Sequence, residues 1–167
     1  MALARLEQAG LLDAVITQNI DRLHRLAGTQ ELVQVHGTIE YSSCLTCGVR
    51  YPLAEVRERQ LADPARIPRC ACTAPLKPDV VLFGEFLPPG ALSRAEQLAV
   101  SADLLLCIGS SLEVHPAGDL PMLTLAAGGR IVIITQGPTP LDRHAAVRCE
   151  GDVVEELQSL LRELGLD

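Results

Sequence analysis

The sequence predicts an α/β fold: a doubly wound parallel sheet into which a small cysteine-bearing module is inserted. Three observations carry that reading. Short runs that are apolar throughout, such as "LLLCIG" (Leu104–Gly109) and "RIVIIT" (Arg130–Thr135), alternate with helical stretches of about ten residues, the pattern of strands buried on both faces. Between Cys44 and Pro78 the composition shifts to four Cys and a series of Pro, which marks a separate module. Finally, small and polar residues gather where apolar runs stop, as in "VITQNIDRLHRLAG" (Val15–Gly28), and open α/β sheets bind ligands at the carboxyl ends of their strands.

The elements follow in order. "MALARLEQAGLLDAV" spaces Leu3, Leu6 and Leu11/Leu12 for a helix, with Gly10 as its stop. A strand is expected at Ala14–Thr17, another apolar run at Leu32–Val35 and a further strand at Ile39–Ser43. Inside the module, a charged helix spans about Leu53–Leu61. "VVLF" (Val80–Phe83) reads as a strand, Ala91–Val100 as a helix, Leu104–Gly109 as a strand and Leu120–Ala127 as a helix. Strands at Arg130–Thr135 and Ala146–Cys149 follow, and "GDVVEELQSLLRELG" closes the chain as an amphipathic helix capped by Asp152 and stopped by Gly165. The expected organisation is one domain over residues 1–43 and 76–167, with the module at 44–75.

A chain of 167 residues with 48% hydrophobic composition can bury a core. Aromatics at 2%, with no Trp, argue against a base-stacking platform, and a net charge of −7 argues against direct nucleic-acid binding while suiting a Lys-rich peptide. No apolar run approaches the roughly 20 residues that span a bilayer, and the start has no signal-peptide pattern, so the expectation is no membrane association and a cytoplasmic location.

Six Cys without a secretion signal point to metal before disulfides. Cys44-Leu-Thr-Cys47 and Cys70-Ala-Cys72 are two close pairs on a longer arm, a spacing that lets four thiolates meet around tetrahedral Zn²⁺. Four Cys leave no open coordination position, which makes the metal structural. The second pair is one residue shorter than the common CxxC. Cys107 and Cys149 lie in apolar strands and read as core residues.

Three strand ends offer ligand groups: Gln18, Asn19 and Asp21; His36 before Gly37; and Gly109, Ser110 and Ser111, whose backbone N–H and hydroxyl groups suit phosphate or ribose. Asn19 or Asp21 would equally serve as a cap for the helix "RLHRLAG".

Taken in order, "TQNIDRLH" (17–24), "VHG" (35–37), "CLTCG" (44–48), "LKPDVVLFGE" (76–85), "GSSLEVHPA" (109–117) and "GDVVEEL" (151–157) make the chain resemble the sirtuins, NAD-dependent protein deacylases. The resemblance implies a Rossmann-like sheet, NAD and Zn as cofactors, and acyl-lysine proteins or peptides as partners. It implies that His36 is the catalytic base, that Asn19 and Asp21, with Ile20 between them, line a nicotinamide pocket, and that Gln18 sits beside the nicotinamide ribose. Gly109, Ser110 and Ser111 would contact ribose and phosphate, Thr135 the adenine ribose in place of a usual Asn, and Val153 the adenine. Val81, Leu82, Phe83, Gly84 and Glu85 would pair strand to strand with the acyl-lysine peptide. Cys44, Cys47, Cys70 and Cys72 would hold the structural zinc. Arg22 stands where relatives often carry a small residue.

No Gly-rich phosphate turn precedes Thr17, so the first βα unit of the sheet is expected to be missing. That would leave an uncovered sheet edge prone to self-association. The expected activity is deacylation that releases nicotinamide and O-acyl-ADP-ribose; the alternatives are a silent zinc-containing fold that binds a partner, or ADP-ribosyl transfer or NAD cleavage on the same scaffold.

Overall fold

A computed structural model describes residues 1–166. Helix α1 (Ala2–Gln8) ends as its sequence indicates. Gly10 adopts φ +70°, the Gly10 N–H bonds the Glu7 carbonyl and the Leu11 N–H bonds that of Leu6, which satisfies two end carbonyls that would otherwise be unpaired. Strand β1 (Val15–Thr17) then runs parallel to β2 (Leu32–Gln34), with Val15 opposite Leu32; the short helix α2 (Leu23–Leu26) lies between them.

The chain passes from β2 through Val35 and His36 into β3 (Gly37–Cys44), which belongs to a different sheet. There β3 is central, antiparallel to β4 (Arg50–Pro52) on one side and to β5 (Leu76–Val80) on the other, and α3 (Leu53–Ala62) packs on it. Buried Cys44, Tyr51, Cys70 and Leu76 form the core of this module. The β3–β5 register slips between Gly37 and Ser42. At Gly37 the two backbones approach so closely that a Cβ would meet the Asp79 carbonyl oxygen at 2.1 Å. What comes close to this glycine is therefore β5.

The strand expected at Val80–Phe83 lies instead at Leu76–Val80, and Leu82–Glu85 is a turn closed by the Glu85 N–H on the Leu82 carbonyl. Pro78 inside the strand is tolerated because β5 is an edge of its sheet. Within the module, where the sequence predicts only the helix at Leu53–Leu61, Arg50–Pro52 form β4.

After α4 (Ala91–Ser101) the second parallel group follows: β6 (Leu104–Ile108), α5 (Leu120–Ala126), β7 (Arg130–Ile134) and β8 (Val147–Cys149), with β7 central. Helix α6 (Val153–Glu163) starts on Asp152, whose carboxylate accepts from the Val154 and Glu155 N–H groups, and packs against α1. One core joins Val35 to Ala95, Ala99, Ala117 and Leu120; another joins Cys107, Leu112, Ile131, Ile133 and Leu141. No helix among the described residues is long and apolar enough to cross a membrane.

The parallel strands form two separate ladders, β1–β2 and β6–β7–β8. Alternate residues of a parallel strand bond to opposite sides. Val15 and Thr17 bond towards β2, and Asp103 and Gly109 towards β7. Ile16 on β1, and Leu104, Leu106 and Ile108 on β6, therefore turn their backbone groups away from their own ladders. Both sets of residues line one cleft between the ladders.

Candidate functional site

That cleft has a volume of about 1090 Å³, and its mouth is set by two strand ends. At the end of β1, Thr17 is buried and its hydroxyl accepts the Asn19 N–H at 3.1 Å, which turns the chain and sets Gln18 and Asn19 on the cleft wall. At the end of β6, Gly109 has φ +59° and Ser110 and Ser111 follow it along the same cleft. Their hydroxyls accept the N–H groups of Leu112 and Glu113, at 3.2 and 3.4 Å, and each keeps a proton to donate. Val153, the first residue of α6, also lines the cleft.

His36 adjoins this wall. Its Nδ1 lies 3.2 Å from the Gln18 carbonyl oxygen. A carbonyl can only accept, so Nδ1 carries a proton, and in the neutral ring Nε2 is the nitrogen with the lone pair. Beyond the ring, the Val81 N–H donates to the His36 carbonyl at 2.9 Å, which ties the histidine to the exit of β5.

The remaining sequence-predicted residues stand apart from the cleft lining. Asp21 is exposed and its Oδ1 accepts the Leu23 N–H at 2.9 Å, a turn leading into α2, whose N-cap is Arg22. The Ile20 carbonyl accepts from the Ile39 N–H at 3.3 Å. Between them and α2, Arg22 takes φ +71° and pairs with Glu40 at 3.2 Å. Thr135 is buried past β7, with its N–H on the Cys149 carbonyl. Its own carbonyl accepts from Arg148 Nη1 at 2.6 Å; Arg148 also bonds the Gly137 carbonyl and pairs with Asp142 at 3.0 Å. This clamp was not read from the sequence, where an Arg in a short strand carries no signal.

Val81 and Glu85 line a smaller groove of about 380 Å³, together with Lys77, Phe86 and Leu87. Glu85 closes the 82–85 turn by accepting the Leu82 N–H and pairing with Lys77, each at 2.9 Å; these two contacts hold its carboxyl below the usual range. Gly84 has φ +85°, and Leu82 and Phe83 are exposed, Phe83 completely.

The four module thiols converge. All four Sγ atoms lie within 4.8 Å of one another, with Cys44–Cys72, Cys47–Cys70 and Cys47–Cys72 separations of 3.4, 3.5 and 3.7 Å. A tetrahedron with metal–sulfur bonds of ~2.3 Å has edges of about 3.8 Å, so the donor set fits zinc. The Cys44 thiol is held down by the Cys47 and Thr46 N–H groups, and Cys70 is drawn to about 6, first by the Tyr51 hydroxyl. The Val49 backbone draws Cys47 down, but neighbouring thiols push it up to about 12. Cys107, pushed up to about 12 by burial, is an inert core thiol.

The Sir2 family profile matches residues 1–116. The chain is 41% identical over 165 residues to an NAD-dependent protein deacetylase of Thermotoga maritima, covering 98% of this chain and 66% of that protein. It is 43% identical over 163 residues to NAD-dependent protein deacetylase 1 of Pyrobaculum aerophilum, covering 98% and 63%. Among solved structures, one described as Sir2Tm bound to a propionylated peptide superimposes with a TM-score of 0.94 at 40% identity, covering 99% of this chain and 70% of that one. Another, a Sir2–p53 peptide–NAD+ complex, does so with a TM-score of 0.94 at 41% identity, covering 99% and 69%.

Proposed function

This chain belongs to the Sir2 family, and on that premise we propose that it acts in NAD-dependent removal of acyl groups from protein lysines. The observation that carries the reading is the meeting of Gln18–Asn19 with Gly109–Ser111 along one cleft, with a tautomer-fixed His36 beside it.

The polar strand ends fit a dinucleotide: Gly109 lets a ribose or phosphate approach the backbone, the Ser110 and Ser111 hydroxyls donate to it, and Val153 offers an apolar edge to adenine. Bound NAD would supply an electrophilic ribose carbon, which the acyl oxygen attacks as nicotinamide leaves. His36 Nε2 would accept the proton of a ribose hydroxyl that takes up the acyl group, while the Gln18 carbonyl holds the ring through Nδ1–H. Asn19, with its N–H held by Thr17, places an amide at the nicotinamide end. Asp21 holds the turn before α2 with one oxygen and keeps the other free to turn towards that end. The arrangement of Val81–Glu85, tied to His36 through one backbone bond, supports a role in pairing with the acyl-lysine peptide. The Cys44, Cys47, Cys70 and Cys72 cluster holds zinc as a brace, away from the chemistry.

The test is nicotinamide release from NAD that depends on an acetyl-lysine peptide. His36→Ala is expected to lower kcat by roughly 10²–10⁴-fold with zinc content unchanged. Peptide-independent NAD cleavage would favour ADP-ribosyl or hydrolytic chemistry, and no calorimetric heat with millimolar NAD would leave a binding module. The backbone groups of Ile16, Leu104, Leu106 and Ile108 that face away from their ladders also favour self-association through these edges.

A further inference from the structure

Two turns present the zinc thiols, and they are not equivalent. In the first, Cys44–Cys47 has two intervening residues, and the Thr46 and Cys47 N–H groups both point at Cys44 Sγ, each at 3.4 Å. Gly48 follows at φ +71°, a conformation that suits glycine. In the second, Cys70–Cys72 has one intervening residue, and the residue after it, at φ +70°, is the β-branched Thr73. This turn is shorter and strained, and the N–H three residues after Cys70, that of Thr73, donates to the Cys70 carbonyl at 2.9 Å and not to its sulfur.

A hydroxyl lies where an N–H donor to the sulfur would act. Tyr51, buried in the module core, places its oxygen 3.2 Å from Cys70 Sγ and 3.4 Å from the Ala71 N–H. The N–H can only donate to this oxygen, so the phenol proton is free to point at sulfur. The ring is fixed from its face by the Arg59 guanidinium, 4.5 Å from the centroid; Arg59 itself pairs with Glu55 and donates to the Arg69 carbonyl, both at 2.5 Å. The phenol is thus braced on one side by the helix and on the other by the turn that it serves.

We propose that Tyr51 is a positioning residue of the metal site: its hydroxyl replaces the backbone donor that the shortened Cys70–Cys72 turn has lost, fastening that turn and neutralising part of the Cys70 thiolate charge. Outer-shell hydrogen bonds of this kind orient ligands and tune metal affinity. The inference rests on the reading of the four thiols as a zinc site and is independent of any acyl chemistry. A ring that merely fills space would give the same packing but no dependence on the oxygen.

Zinc transfer from the full chain to a colorimetric chelator separates these roles. Tyr51→Phe, which keeps the ring, is expected to speed release about tenfold or more and to move the thiolate-to-metal absorption of the cobalt-loaded protein to longer wavelength. Inserting one Gly between Ala71 and Cys72, which restores two intervening residues, should return the Tyr51→Phe rate to within about twofold of the unmodified chain. Unchanged release in Tyr51→Phe overturns the proposal. If Tyr51→Phe does not fold, the variant carrying the Gly insertion as well must fold and hold zinc; its failure also overturns it. A wild-type chain that folds without zinc would sink the metal reading itself, a result distinct from both.

Discussion

A Cβ added at Gly37 would stand 2.1 Å from the Asp79 carbonyl oxygen on a backbone at φ +76°, so Gly37→Ala must push β3 and β5 apart next to His36. The expected cost, overpacking plus left-handed strain, is at least roughly 2 kcal/mol in urea unfolding. Thr73 presents the reverse case. Its φ of +70° is strained for a β-branched residue, and Thr73→Gly is expected to gain a net 0.5–1 kcal/mol or so in the same measurement, strain relief outweighing the freedom that glycine adds to the unfolded chain. His36 and Gly37 stood out in the sequence because a polar residue and a glycine end an apolar run. The proton on Nδ1 did not, since it depends on the carbonyl of Gln18, 18 positions away. Tyr51 carried no signal at all; its meaning comes from a turn that is one residue short.

Among the elements, α6 was legible from end to end. Asp152, the spacing of Val153, Leu157 and Leu161, and Gly165 give start, buried face and stop, and the structure uses each of them. Asp152→Ala should lower stability by about 1 kcal/mol, read from a thermal transition, because two N–H groups lose their acceptor. Strand β5 was misplaced because "VVLF" has higher strand propensity than "LKPDV", yet pairing with β3 selects the latter. The segment after β7 is held by Arg148, which bonds the carbonyls of Thr135 and Gly137 and pairs with Asp142. The Asp142 carboxyl is held below its usual range, by the Thr139 hydroxyl first, then the Thr139 N–H and Arg148. A depressed carboxyl contributes stability above its unfolded pKa and loses it as pH falls through the folded one. Protection from hydrogen exchange over residues 135–144, relative to the intrinsic rate at each pH, should therefore be high at neutral pH and fall below the usual carboxylate range, and Asp142→Asn should abolish that pH step.

At the scale of the molecule, the alternation of apolar runs and helices was enough to give parallel strands, but not their division into two ladders. Partner choice is made between distant segments and leaves no trace in local periodicity. The unpaired strand edges along the cleft make a prediction: sedimentation velocity should show concentration-dependent association. Leu104, 48% exposed on β6, becomes a charged edge residue in Leu104→Lys, which should reduce that association without loss of secondary structure. A sharp, concentration-independent monomer would contradict it. The passage of the chain from β2 to β3 has a consequence of its own. Position 36 is the joint between one framework that faces the large cleft and another that is knotted by sulfur, and only Val35 precedes it after β2. Two of the knot's thiols, Cys47 and Cys72, lie open to solvent. If the proposed acyl chemistry holds, an oxidant or mercurial that attacks these thiols without entering the cleft is expected to loosen the peptide thread at the imidazole and slow turnover from the far side; turnover unchanged after thiol modification would contradict this.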